Sequence, residues 1–91
     1  MKVNDIVTVV AVTGAEYIGK FRKETLDTFV IGEPHIVSPE GESLTFMPTV
    51  AMTGEPSVGE ATFQKSGVIL VVRTAKEVAA EYTRSISGII L

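Results

Sequence analysis

The chain has 91 residues, 45% of them hydrophobic, with no cysteine and a formal net charge of −3. That length holds one domain, and the absence of cysteine excludes disulfide scaffolds, thiolate zinc sites and cysteine nucleophiles. The acidic balance leaves any nucleic-acid binding to a local basic patch.

A domain this small buries only about 60–65% of its unfolded surface. A mean hydropathy of +0.33 therefore predicts apolar surface that self-association would cover. No run approaches the ~20 apolar residues of a membrane-spanning helix, so no membrane is expected. The start, Met1-Lys2-Val3-Asn4-Asp5, lacks the long apolar region of a signal peptide and predicts a cytoplasmic location.

The first predicted strand, Ile6 to Val12, is apolar at both parities, as in a strand covered on both faces. Thr13-Gly14 makes a turn, with Gly14 suited to positive φ. The second strand, Glu16 to Lys23, alternates. Tyr17, Gly19 and Phe21 point inward and Glu16, Lys20 and Arg22 outward, with Ile18 the exception. Gly19 inside a strand marks a sharp bend or a close backbone approach.

A third strand is predicted from about Asp27 to Val37, interrupted by Gly32 and Pro34; the proline lacks a ladder donor and makes that half an edge or a bulge. Ser38-Pro39-Glu40-Gly41-Glu42 is a turn by composition. A fourth strand runs from about Ser43 to Met52, with Pro48 suggesting an edge or bend. Thr53 to Glu60 is a loop.

Ala61 to Arg73 forms the fifth strand, bent at Gly67. Its continuous apolar run, Val68-Ile69-Leu70-Val71-Val72, fits either a central core strand or one that pairs with another chain. Thr74-Ala75-Lys76-Glu77 reads as a capping box, and Val78, Ala79, Tyr82 and Ile86 form an apolar helical stripe. Gly88 stops that helix, and Ile89-Ile90-Leu91 is expected to pack on the sheet or a neighbouring subunit.

Few residues carry chemistry. His35 is the sole histidine and has no cysteine or second histidine to help it, so its expected role is structural or solvated. Neither a nucleophile elbow nor a phosphate loop is present, and no enzyme, metal or cofactor is expected. Lys20, Arg22 and Lys23, with Phe21 interleaved, are the densest basic cluster, the pairing of cation and aromatic used on single-stranded nucleic acid. The same residues also suit a merely solubilising face.

With the elements placed, Val10 to Phe21 resembles the start of the first Sm motif: an apolar strand, a turn glycine, a bend glycine, and an apolar residue two positions on. The chain resembles the Sm-like (Lsm) family, and within it the small Sm-like proteins of marine cyanophages. The resemblance implies a small five-stranded, strongly bent Sm-like barrel of the SH3 type over about residues 3–73, with one helix over about 75–87. It further implies a homo-oligomeric ring of five to seven subunits, the small end favoured. In the ring the fourth strand of one subunit pairs with the fifth of the next.

RNA or single-stranded DNA would bind through Arg22, Lys23, Asp27, Thr28 and Phe29 and through Thr53, Gly54 and Glu55. If the chain is phage-encoded, its location is the host cytoplasm. The family's base-holding asparagine is absent: its position falls on Phe29 counted from Phe21, and on Ile31 counted from Asp27. In the second motif, Met52-Thr53-Gly54-Glu55 keeps the glycine and the acid but has threonine for arginine. The alternative is a structural or adaptor ring, such as one in a phage particle, that touches only protein.

Overall fold

The computed structural model describes residues 1–48, 50–51, 53–54 and 59–87. Six antiparallel strands precede one helix: β1 (Ile6–Ala11), β2 (Glu16–Glu24), β3 (Thr28–Glu40), β4 (Ser43–Met47), β5 (Glu60–Gln64), β6 (Val68–Arg73) and α1 (Lys76–Ser87). The expected fifth strand is thus two, because a 3-10 turn at Lys65–Gly67 divides it. The sheet runs β4-β3-β2-β1-β6, with β5 also on β3. It is mostly β as expected, but the end strands do not join each other, so the ladder is open rather than closed.

The first hairpin follows the sequence closely. Gly14 turns at φ 93° and its N–H reaches the Ala11 carbonyl at 2.9 Å. Gly19 meets both expectations for it. The β2–β3 register slips between Ile18 and Lys20, and a Cβ there would lie 2.8 Å from the Gly32 carbonyl oxygen and 3.3 Å from the Pro34 Cα.

Across from it, β3 runs unbroken through Pro34, because the proline falls where no donor is needed. β5 pairs with Thr28–Gly32 and β4 with Ile36–Glu40, leaving Pro34 in the gap between them. Glu33 completes the bulge with φ 47°. β3 continues through Ser38, Pro39 and Glu40, so the turn is narrower than expected: Gly41 and Glu42 alone, with Gly41 at φ 63°. β4 ends at Met47, just before Pro48.

The core lies on one side of this bent sheet. Val7, Val9, Phe21 and Ile31 form its centre, with Tyr17, Phe29, Phe63, Val68 and Val71 packed around them. Tyr17 and Phe63 meet edge to face at 5.1 Å, a favoured aromatic geometry. Ile18, out of pattern in the sequence, is fully buried on the opposite face. It sits across from His35, whose ring meets Tyr82 of α1 edge to face at 5.4 Å.

β1 has one buried face, Val7 and Val9, while its other residues are half-buried. β6 is not the central strand that one reading offered. It is an edge strand paired only with β1 among the described residues, with Ile69 61%, Leu70 43% and Val72 45% exposed.

The helix stripe holds residue by residue. Tyr82 is buried, Val78, Ala79 and Ile86 are half-buried, and the rest of α1 is exposed. Its start differs from a capping box. The Thr74 hydroxyl pairs with that of Thr8 at 2.9 Å, and the Ala75 carbonyl accepts the first helical bond, from Ala79 at 2.8 Å. Thr74 therefore fastens the helix start to β1. The expected stop at Gly88 and the packing of Ile89-Ile90-Leu91 lie outside the described residues.

Candidate functional site

The β2–β3 turn is closed by its own threonines. Thr25 N–H donates to the Thr28 carbonyl at 2.9 Å, Thr28 N–H donates to the Thr25 hydroxyl at 3.0 Å, and the two hydroxyls lie 2.6 Å apart. These local bonds replace a ladder where the chain reverses. They push Leu26 to the tip, 89% exposed, beside exposed Asp27.

Lys65, in the 3-10 turn, clamps this reversal from the side. Its backbone N–H donates to the Asp27 carbonyl at 2.8 Å, its ammonium donates to Glu24 at 2.7 Å, and it stands 5.1 Å over the Phe29 ring.

Of the expected site residues, Asp27, Thr28 and Phe29 are therefore brought together, with Lys23 at the end of β2. Phe29 is half-buried, packed against the core with the Lys65 ammonium over its ring, a contact that a stacked base would have to displace. Arg22 is committed as well. It donates to the Asn4 side chain, lies 3.7 Å from Glu60, and covers Gly32 so closely that a Cβ there would strike the guanidinium.

Thr53 and Gly54 are exposed, and Gly54 bonds back to Ala51 at 3.1 Å. No contact among the described residues joins them to the turn. Glu55 lies outside the described residues. The partner of the turn is instead Lys65, which opens the 3-10 turn Lys65–Gly67. Sequence reasoning missed it by treating 61–73 as one strand, and no local pattern there indicates the contact.

Of eight lysines and arginines, five stand within 4.0 Å of a carboxylate: Lys20, Arg22, Lys65, Arg73 and Arg84. Lys2, Lys23 and Lys76 form no ion pair among the described residues, so Lys23 is the free cation nearest the turn. His35 donates from Nδ1 to the Glu33 carbonyl at 2.9 Å and is 9% exposed, a structural role. Among the described residues no group of acidic or histidine side chains could hold a metal ion. No helix there is long and apolar enough to cross a membrane.

Two carboxylates are held below their ordinary range. The Lys2 backbone N–H, and then the Arg73 side chain, favour ionised Asp5. The Lys20 ammonium, 2.7 Å away, does the same for Glu33. A carboxyl whose pKa falls on folding contributes stability above its unfolded value, about 4, and loses that contribution as pH drops through the folded value. Chemical denaturation at pH 6 and pH 3 should therefore show a stability loss in acid that Glu33→Gln reduces. A loss of the same size in that variant would remove Glu33 from the account. The effect is small, because both partners reach solvent.

A scan against family models finds no match for the chain, and a search of curated proteins finds none.

Proposed function

We propose that this chain is an Sm-like subunit of a homo-oligomeric ring, in which β6, the second half of the expected fifth strand, pairs with β5 of the next copy in place of the expected fourth strand. The observation that carries this reading is the pair of unfilled sheet edges. β5 pairs only with β3 and β6 only with β1 among the described residues. They are matched in length, five residues against six, and β6 exposes Ile69, Leu70 and Val72. An uncovered apolar edge strand is a template for pairing. Two different edges meeting head to tail close into a ring when the rotation allows. The expected stoichiometry is five to seven, the small end favoured.

Such a ring repeats the turn of Lys23, Leu26 and Asp27 once per subunit. Weak contact to RNA or single-stranded DNA would then be multiplied by avidity, and Lys23 is the residue placed to make it. The reading of a protein-only adaptor or structural ring has its own support: five of the basic side chains are neutralised by carboxylates, and the Phe29 ring is engaged by the core and Lys65. Neither reading involves catalysis.

The native mass tests the ring. It should be five to seven times 9.7 kDa and fall to the monomer in Ile69→Lys/Val72→Lys. A wild-type monomer, or an oligomer indifferent to that double variant, overturns the assembly. Retention of U-rich and A-rich oligonucleotides at low and high salt then separates the two ligand readings. Lys23→Glu should abolish retention while the ring mass stays unchanged, and no binding even at low salt leaves the adaptor reading.

A further inference from the structure

We infer that copies of this chain associate head to tail, the Leu26 tip of one copy seated in the hollow between β4 and α1 of the next. The tip is a rigid projection. Bonds between Thr25 and Thr28 close the turn, and Lys65 braces it from the side. Leu26 is therefore held out at 89% exposure, with little further ordering to lose on contact. Turn tips favour glycine, asparagine and aspartate, and an exposed leucine there adds nothing to the core.

The hollow offers a matching seat. Leu44 and Phe46 of β4 and Val78 of α1 line it together with Glu42, Glu77 and Glu81, and its volume is about 320 Å³. Removing one buried leucine side chain leaves a cavity of about 150 Å³, so the hollow takes the Leu26 side chain whole and the flank of its turn. The seat consists of side chains, and the backbone edge of β4 takes no part.

Charge fixes the occupant and its orientation. Glu42 and Glu77 have no ion-pair partner among the described residues, and neither does Lys23, three residues before Leu26. Asp27 follows Leu26 and is exposed. The hollow continues into a second one of about 310 Å³, lined by Arg84, which Glu81 holds at 2.7 Å. A tip laid across the two puts Lys23 against Glu42 and Glu77 and Asp27 on the side of Arg84. Leu26 then enters over the apolar floor between them.

One chain cannot fill its own hollow. β3 leaves the turn at Thr28, and Val37 and Pro39, nine and eleven residues further on, pair with Phe46 and Leu44. That length of strand spans roughly 30 Å. The contact therefore joins two different surfaces of two copies, a heterologous pairing that propagates along a row. It uses neither β5 nor β6 and does not depend on the ring.

The contact falls well below the roughly 1,000 Å² of a stable interface. It is weak, and backbone amide chemical shifts read it at roughly millimolar chain. The test uses the full chain carrying Ile69→Lys/Val72→Lys, which removes the pairing of β6, and a labelled version that also carries Leu26→Asp. Adding the unlabelled chain with Leu26 intact should shift residues 42–46 and 77–85 of the labelled one and leave 23–28 unmoved. Adding unlabelled Leu26→Asp should shift neither segment, its affinity being at least about tenfold lower. Lys23→Glu in the unlabelled chain should weaken binding roughly threefold, a difference that fades at high salt. All the substituted side chains are exposed, so the variants keep the fold. No shift with Leu26 intact, equal shifts with Leu26→Asp, unchanged affinity with Lys23→Glu, or shifts outside the hollow overturn the proposal. A wild-type monomer at dilution overturns the ring and leaves this result unaffected.

Discussion

Gly19→Ala is expected to destabilise the domain by about 2–3 kcal/mol, the cost of forcing extra volume into a packed interior. For a chain of this size that corresponds to a melting temperature lower by roughly 10–20 °C. The methyl would enter a space already occupied by the Ile31 side chain, the Gly32 carbonyl and the Pro34 Cα. Ile31 is fully buried at the centre of the core, so it cannot swing aside, and the other two neighbours are backbone. Separating β3 from β2 there would undo the slip that bends the sheet.

Two other glycines calibrate the result. A Cβ on Gly14 meets nothing within 4 Å, but its φ of 93° strains any other residue, so Gly14→Ala should cost about 1 kcal/mol. Gly67 has neither obstacle, and Gly67→Ala should stay within about 0.5 kcal/mol of wild type. Denaturant midpoints for the three variants should rank in that order. If Gly19→Ala were no worse than Gly14→Ala, close packing would not be the reason for the glycine.

The sequence was readable where one local cause determined the outcome. Gly14 and Gly19 announced a turn and a close approach, and the spacing of Val78, Ala79, Tyr82 and Ile86 announced the buried side of α1. It was unreadable where a residue answered to two neighbours at once. Pro34 looked like an interruption because its missing donor is harmless only if β4 and β5 divide the edge of β3 between them, and no local pattern shows that division. Val68 to Val72 has the composition of a central strand, yet placement at the end of the sheet depends on which strands its neighbours select. Thr74 fits a helix cap equally well on paper, but Thr8, distant in sequence, takes its hydroxyl.

The candidate site divides along the same line. Thr25 to Thr28 closes through bonds within four residues, so the reversal is local, one residue beyond the predicted start of the third strand at Asp27. Lys65 reaches that turn only because β5 lies along β3, and nothing in 61–73 by itself indicates the contact. The family resemblance implies Arg22 and Phe29 as ligand contacts. The fold gives Arg22 to Asn4 and Glu60, and gives Phe29 to the core and Lys65, which leaves Lys23 as the cation to test.

Tyr82→Ala should be the most damaging change in α1, costing about 3–5 kcal/mol of a total stability on the order of 5–15 kcal/mol. Tyr82 is fully buried. Its ring meets His35 at 5.4 Å and Phe46 at 6.4 Å, both edge to face, and its hydroxyl donates to the Glu33 carbonyl at 2.8 Å. That carbonyl also receives His35 Nδ1, on a residue held at positive φ. One side chain thus ties the helix to the bulge of β3. Hydrogen exchange should show α1 losing protection first in the alanine variant, with β1 and β2 following only as global stability falls. Equal loss everywhere would mean that the helix is not a separable layer.

Tyr82→Phe isolates the hydroxyl and should cost about 1 kcal/mol at neutral pH. It should also change the alkaline limb. Burial, and then the nearby Glu33 carboxylate, pushes the Tyr82 phenol well above its ordinary value. The unfolded chain loses that proton near pH 10 while the folded chain keeps it. Stability is therefore fully present below pH 10 and declines as pH rises towards the folded pKa. Denaturation at pH 8 and pH 11 should show this decline in the wild type and a smaller one in Tyr82→Phe. An identical decline in both would mean that the buried phenol is not what limits the fold in base.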